Sequence, residues 1–138
     1  MITGLDLVLA DHRRVERLFA DFAATHDGTL VGQILEALTL HDMAEQGALY
    51  PLAAHLVDDA ALLTRVFDAH SEVKTASEHL RALEGQPLVD AVEALRRSVA
   101  EHVADEEDNL LPALAAQATA VQLDGLAARF EQAKQRVG

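Results

Sequence analysis

Leu38, His41, Glu45, Leu49 and Leu52 recur at the three- and four-residue spacing of one helix face. A stripe that should carry only hydrocarbon into a core therefore carries an imidazole and a carboxylate. Residues 98–112, SVAEHVADEEDNLLP, align without a gap on residues 37–51, ALTLHDMAEQGALYP, at an offset of 61. The alignment matches His41 with His102, Glu45 with Glu106, Leu49 with Leu110 and Pro51 with Pro112. Two other stripes each contain one histidine: Leu5, Val8, Leu9, His12, Val15, Phe19, Phe22, and Leu63, Val66, Phe67, His70, Val73, Ser77, Leu80. The chain reads as two related halves. Each half supplies one inward histidine from its first helix and an HxxxE pair from its second.

Ala and Leu dominate, and Gly or Asp clusters near 27–28, 58–59 and 85–87 are the clearest interruptions. Helices are expected at about 4–25, 30–56, 60–83 and 88–116, with a shorter fifth near 121–135. Short connections between long helices favour antiparallel neighbours. The expected fold is all-α, an up-down antiparallel four-helix bundle with a short fifth C-terminal helix, forming one domain over 1–138.

Composition removes several kinds of chemistry. The chain has no cysteine, so disulfides and thiolate ligands are excluded and any metal must be held by nitrogen and oxygen. Its 23 acidic and 11 basic residues give a formal charge of −12, which repels phosphate backbones and anionic lipid. No nucleic-acid partner and no membrane association are expected. The amino terminus, MITGLDLVLADHRRVERLF, lacks the basic region and long apolar run of a signal peptide, so a cytoplasmic location is expected.

Six inward polar groups, two of them carboxylates, need partners, because a buried unpaired ion costs several kcal/mol. Lys74, one turn beyond His70, cannot satisfy them all. Metal ions can. Residues four apart stack on one helix face, so each HxxxE presents a nitrogen and an oxygen to one region, and His12 and His70 approach from the other two helices. Four histidines and two glutamates exceed the ligand count of one zinc and suit two ions, each with two imidazoles and both glutamates bridging. Ligand type alone is compatible with iron, manganese or zinc.

This pattern resembles the hemerythrin-like family, the HHE cation-binding domain. The resemblance covers roughly residues 5–115 and rests on Asp11 and His12, on HDMAEQGALYP from His41, on His70, and on HVADEEDNLLP from His102. It implies two iron ions in a non-heme, oxo- or hydroxo-bridged centre held by His12, His41, Glu45, His70, His102 and Glu106. It also implies dioxygen, hydrogen peroxide or nitric oxide as small ligands. In the oxygen-carrying members of that family the third long helix supplies two histidines one turn apart. Here the second position is Lys74, which leaves one imidazole missing.

Tyr50 is the candidate to fill that position, either as a metal ligand or as a hydrogen-bond donor to a bound oxygen or peroxide. By helix phase it lies about 140° from Glu45. The expected means of turning it inward is Pro51, which pushes the residue before it out of the α region and frees the carbonyl of Gly47. Its counterpart Leu111 cannot coordinate, so the two metal positions should be unequal. His26, His55 and His79 are expected in solvent, as are Asp105, Glu107 and Asp108, with Glu107 an alternative to Glu106 if the helix is overwound before Pro112. Phe19, Phe22 and Phe67 are expected in the core, and Phe130 as the anchor of the fifth helix. Three functions fit: a redox enzyme consuming peroxide or nitric oxide, a sensor acting through a partner, and a metal-free helical interaction module.

Overall fold

The computed structural model describes residues 2–135; residue 1 and residues 136–138, the ends of the expected 1–138 domain, lie outside the described residues. Helix α1 spans Gly4–Thr25. Its start is set by Thr3, whose hydroxyl accepts from the Asp6 amide while the Asp6 carboxylate accepts from the Thr3 amide at 2.8 Å. Its end is set by His26, which turns left-handed at φ 52° and donates its amide to the Phe22 carbonyl.

The second expected helix is continuous from 29 to 56 but not uniform. It is α2 (Thr29–Ala44), a π turn (Glu45–Leu49) and α3 (Tyr50–Leu56). Helix α4 (Ala60–His79), capped by the Asp59 carboxylate on the Leu62 amide, ends in a 3-10 turn, Leu80–Ala82. The fourth rod repeats the second: α5 (Gly85–Asp105), a π turn (Glu106–Leu110) and α6 (Leu111–Gln117). Both π turns keep the repeat's offset. Helix α7 spans Ala120–Gln135. Among the described residues there is no strand, and no helix is long and apolar enough to cross a membrane.

The hydrophobic interior is split in two. One cluster holds Val8 of α1, Ala44 and Leu49 of the second rod, Val66 of α4, and Leu110 and Leu114 of the fourth rod. The other holds Val15 and Phe19 of α1, Ile34 of α2, Leu80 beyond α4, and Leu95 and Val99 of α5. Successive rods run from one cluster to the other in alternating direction, the order an up-down bundle produces. Between the clusters lie His12, His41, Glu45, His70, His102 and Glu106, all buried.

Helix α7 lies across α1, α2 and the first π turn and buries Leu126, Phe130 and Ala133. Phe130 is fully buried, as expected of the anchor. The approach is close enough that a Cβ on Gly4 would fall 2.5 Å from Leu126 Cγ, so position 4 needs glycine for contact rather than for conformation. Phe19 and Phe22 are core and Phe67 is half-buried against Tyr50; His26, His55 and His79 are exposed, as expected.

Candidate metal centre

In a regular α-helix, Tyr50 would lie about 140° from Glu45. The π turn removes that difference. The Tyr50 amide donates to the carbonyl of Glu45, five residues back, so the backbone closes one wide turn and brings Tyr50 onto the face of Glu45. Pro51 follows at the start of α3, where it has no amide to donate. The expected mechanism is corrected here: Tyr50 keeps helical dihedrals, φ −66° and ψ −39°, and the widened turn rather than an extended residue carries the phenol inward. The second half does the same. The Leu111 amide donates to Glu106, and Leu111 is buried.

The six expected residues and Tyr50 meet in one place. His12 Nε2 lies 3.2 Å from Glu106 Oε1, and His41 Nε2 lies 3.1 Å from Glu45 Oε1. On the other side, His70 Nδ1 is 3.3 Å from Glu45 Oε1 and His102 Nε2 is 3.3 Å from Glu106 Oε2. Each glutamate therefore reaches both sides. His12 Nε2, His41 Nε2, Glu45 Oε2, His102 Nδ1 and Glu106 Oε1 are buried and have no hydrogen-bond partner. Close nitrogen–oxygen pairs without hydrogen-bond geometry suit one arrangement: metal–ligand bonds of about 2.1 Å at near-right angles place neighbouring ligand atoms about 3 Å apart. His12, His41, Glu45 and Glu106 can hold one ion together, and Glu45, His70 and His102 a second. The donor set fits metal binding.

Tyr50 Oη lies on the second side, 3.0 Å from His70 Nδ1, 3.2 Å from Glu106 Oε2, and 3.3 Å from both Glu45 Oε1 and His102 Nε2. A hydroxyl has one proton to donate, and two carboxylates compete for it. Burial first, then the charges of Glu45 and Glu106, hold this phenol far above its ordinary range. A cation among the same atoms would act in the opposite direction.

The outward nitrogens show what the sequence did not. His41 Nδ1 meets Asp11 at 2.8 Å, His12 Nδ1 meets Glu107 at 2.7 Å, and His70 Nε2 meets Asp42. Each carboxylate comes from the helix next to that of its histidine: Asp11 of α1 to α2, Asp42 of α2 to α4, Glu107 of the second π turn to α1. Such partners fix ring orientation and raise the basicity of the opposite nitrogen. Glu107 is therefore not a solvated residue, nor does it exchange with Glu106, which is fully buried in the centre. Asp105 also departs from expectation, held by Arg65 in two bonds of 2.7 and 2.8 Å, while Asp108 is exposed as expected. The available signal was position: Asp11, Asp42 and Glu107 each adjoin a candidate ligand in sequence. Lys134 of α7 in turn pairs with Asp11, which ties the fifth helix to His41.

These contacts set the charge of the centre. Burial opposes the imidazolium of His41 most strongly, yet the charge and close approach of Glu45, the hydrogen bond to Asp11 and the Glu106 charge together raise it to about 10. His102, also opposed most strongly by burial, is raised to about 9 by Glu106 and Glu45. Burial also works against the Glu45 carboxylate, but the His41 charge leads the influences that hold it well below the ordinary carboxylate range.

Comparison with known proteins agrees with this geometry. The hemerythrin HHE cation binding domain matches residues 3–114. A hemerythrin HHE cation binding domain-containing protein from Mycobacterium kansasii, known from its crystal structure, superposes with a TM-score of 0.80 over 99% of this chain and 90% of that one, at 19% identity. A curated relative from Nostoc sp., named a DNA nickase, is 28% identical over 96% of this chain. The chain spans 39% of that relative's length.

Proposed function

The chain belongs to the hemerythrin HHE cation-binding family, and on that premise we propose that it is a non-heme di-iron protein binding dioxygen, hydrogen peroxide or nitric oxide. The observation that carries the reading is that His12 Nε2, His41 Nε2, Glu45 Oε2 and Glu106 Oε1 are buried without a hydrogen-bond partner within one cluster of imidazoles and carboxylates. Helical packing alone gives no reason to bury them.

His12 and His41 would hold one iron and His70 and His102 the other, with Glu45 and Glu106 within reach of both sides. Tyr50 would take the place of the missing imidazole and coordinate as phenolate, since its oxygen already sits 3.0–3.3 Å from four candidate ligand atoms of the second side. Iron in such a setting supplies one-electron and oxygen chemistry. The chain orients the ligands through Asp11, Asp42 and Glu107 and keeps the carboxylates out of water. With a phenolate in one half and Leu111 in the other, the two positions are unequal, which favours consumption of peroxide or nitric oxide over reversible oxygen carriage. A formal charge of −12 leaves nucleic acid outside this reading, the name of the Nostoc relative notwithstanding.

Elemental analysis of protein grown in iron-replete medium should give two irons per chain. Peroxide added to the iron-loaded protein should be disproportionated to dioxygen and water over repeated turnovers, and nitric oxide should be consumed over repeated turnovers when a chemical reductant is supplied in excess. A folded preparation with one zinc, or with no metal, would end the di-iron reading. Two irons without consumption would leave the sensor in its place.

A further inference from the structure

Of the neighbouring helix pairs around the bundle, α2 and α4 pack least closely, and the gap between them leads into a cavity of about 560 Å³. Its inner wall is the candidate centre itself: His41, Glu45, His70 and His102. Dioxygen, peroxide and nitric oxide are each comparable to a water molecule, whose share of liquid volume is about 30 Å³. Pockets that hold organic molecules occupy about 300–1,000 Å³. The cavity belongs with the second group.

Its lining states the chemistry of an occupant. Between the centre and the surface the wall is mostly aliphatic, built of Val15, Leu35, Leu38, Val73, Val99 and Val103, with Thr39 and Ser77 also in the lining. At the outer rim stand Lys74 and Arg81. Lys74 is exposed and only loosely paired, its Nζ 3.9 Å from Asp42, whose carboxylate is already engaged by His70. Arg81 is exposed and makes no ion pair among the described residues, while Glu78 is the remaining carboxylate of the rim. Lys74 is thus set against Asp42, and Arg81 is the rim cation without an ion-pair partner among the described residues. From His70 to Arg81 along α4 and its 3-10 extension is about 16 Å, so Arg81 stands well away from the centre, whereas Lys74 lies one turn from His70 beside Asp42.

We propose that this cavity binds a monocarboxylate with an aliphatic body, its carboxylate on Arg81 and its hydrocarbon between Leu35, Leu38, Val73 and Val99. The free end of the molecule then lies against the face formed by His70 and His102. This deepens the di-iron reading by naming an organic molecule at the open side of the centre; it rests on that reading for the chemistry, not for the binding.

Calorimetric titration of the iron-loaded protein with decanoate tests it, with acetate and decanol as controls and iron content measured on every sample. Decanoate should bind saturably at one site. Decanol and the variant Arg81→Gln should each bind about fivefold or more weakly, the loss expected for one charge-assisted contact. Acetate should not bind, and Val73→Trp should block decanoate with iron content unchanged. If Val73→Trp does not fold, the Arg81 variant and the two control ligands decide. Absence of saturable decanoate binding with two irons present overturns this inference alone, as does equal binding by Arg81→Gln or by acetate. Decanoate binding with these preferences in a protein that takes up no iron would keep the cavity and remove the di-iron reading.

Discussion

Two buried carboxylates without a cation between them must be neutralised from within the protein. His41 and His102, raised to about 10 and about 9, do so by each holding a proton at neutral pH. The metal-free protein should therefore fold, and its stability should depend on pH in a definite direction. Both folded values lie above the ordinary imidazole value of about 6.5, so the stability they contribute is complete below that value and is lost as pH rises through 9 and 10. Each proton held by the folded form alone changes stability by about 1.4 kcal/mol per pH unit. The two histidines share Glu45 and Glu106, so we count between one and two such protons. From pH 7 to pH 9 the loss is about 3–5 kcal/mol, and at about 4 °C per kcal/mol for a chain of this size the melting temperature falls by about 10–20 °C. Circular-dichroism melts of chelator-treated protein at the two pH values measure it. Iron-loaded protein should show a flat or opposite trend, because the coordinating nitrogens must be deprotonated to bind metal. A metal-free melting temperature equal or higher at pH 9 would refute this account of the buried charges.

Tyr50→Phe should abolish a visible phenolate-to-iron band while leaving the helical content unchanged; a ground-state spectrum that survives the substitution would place the phenol outside the iron's ligands. Asp11→Asn and Asp42→Asn, each removing the partner of a histidine's outer nitrogen, should weaken iron binding about 10- to 100-fold in chelator competition, with Asp108→Asn as an unaffected control. Gly4→Ala should cost about 1–3 kcal/mol in urea denaturation, since its methyl group meets the stem of Leu126 rather than a flexible tip.

The stripes were legible because they are relations along one helix. Residues three and four apart share a face whatever lies opposite, so the inward placement of His12, His41, His70, His102, Glu45 and Glu106 followed from spacing alone, as did the five helical rods. Relations between helices were not legible. Asp42 is one residue from His41 in sequence but serves His70 on another helix; Glu107 serves His12, and Lys134 serves Asp11. Periodicity reports that such a side chain leaves the core stripe and says nothing of the neighbour it meets there.

The π turns lie between these cases. Pro51 and Pro112, each six residues beyond its glutamate, marked a disturbed backbone but not its form. A bond to the fifth residue back displaces everything after it by one position in helical phase. The residue five after each glutamate is thereby turned inward, and what the chain places there differs between the halves: Tyr50, whose phenol reaches the centre, after Glu45, and Leu111, buried in the hydrophobic interior, after Glu106. Two backbone turns of the same form thus bring a phenol to the carboxylate pair in one half and bury a hydrocarbon in the other, so the inequality of the two halves is written in two side chains rather than in the fold.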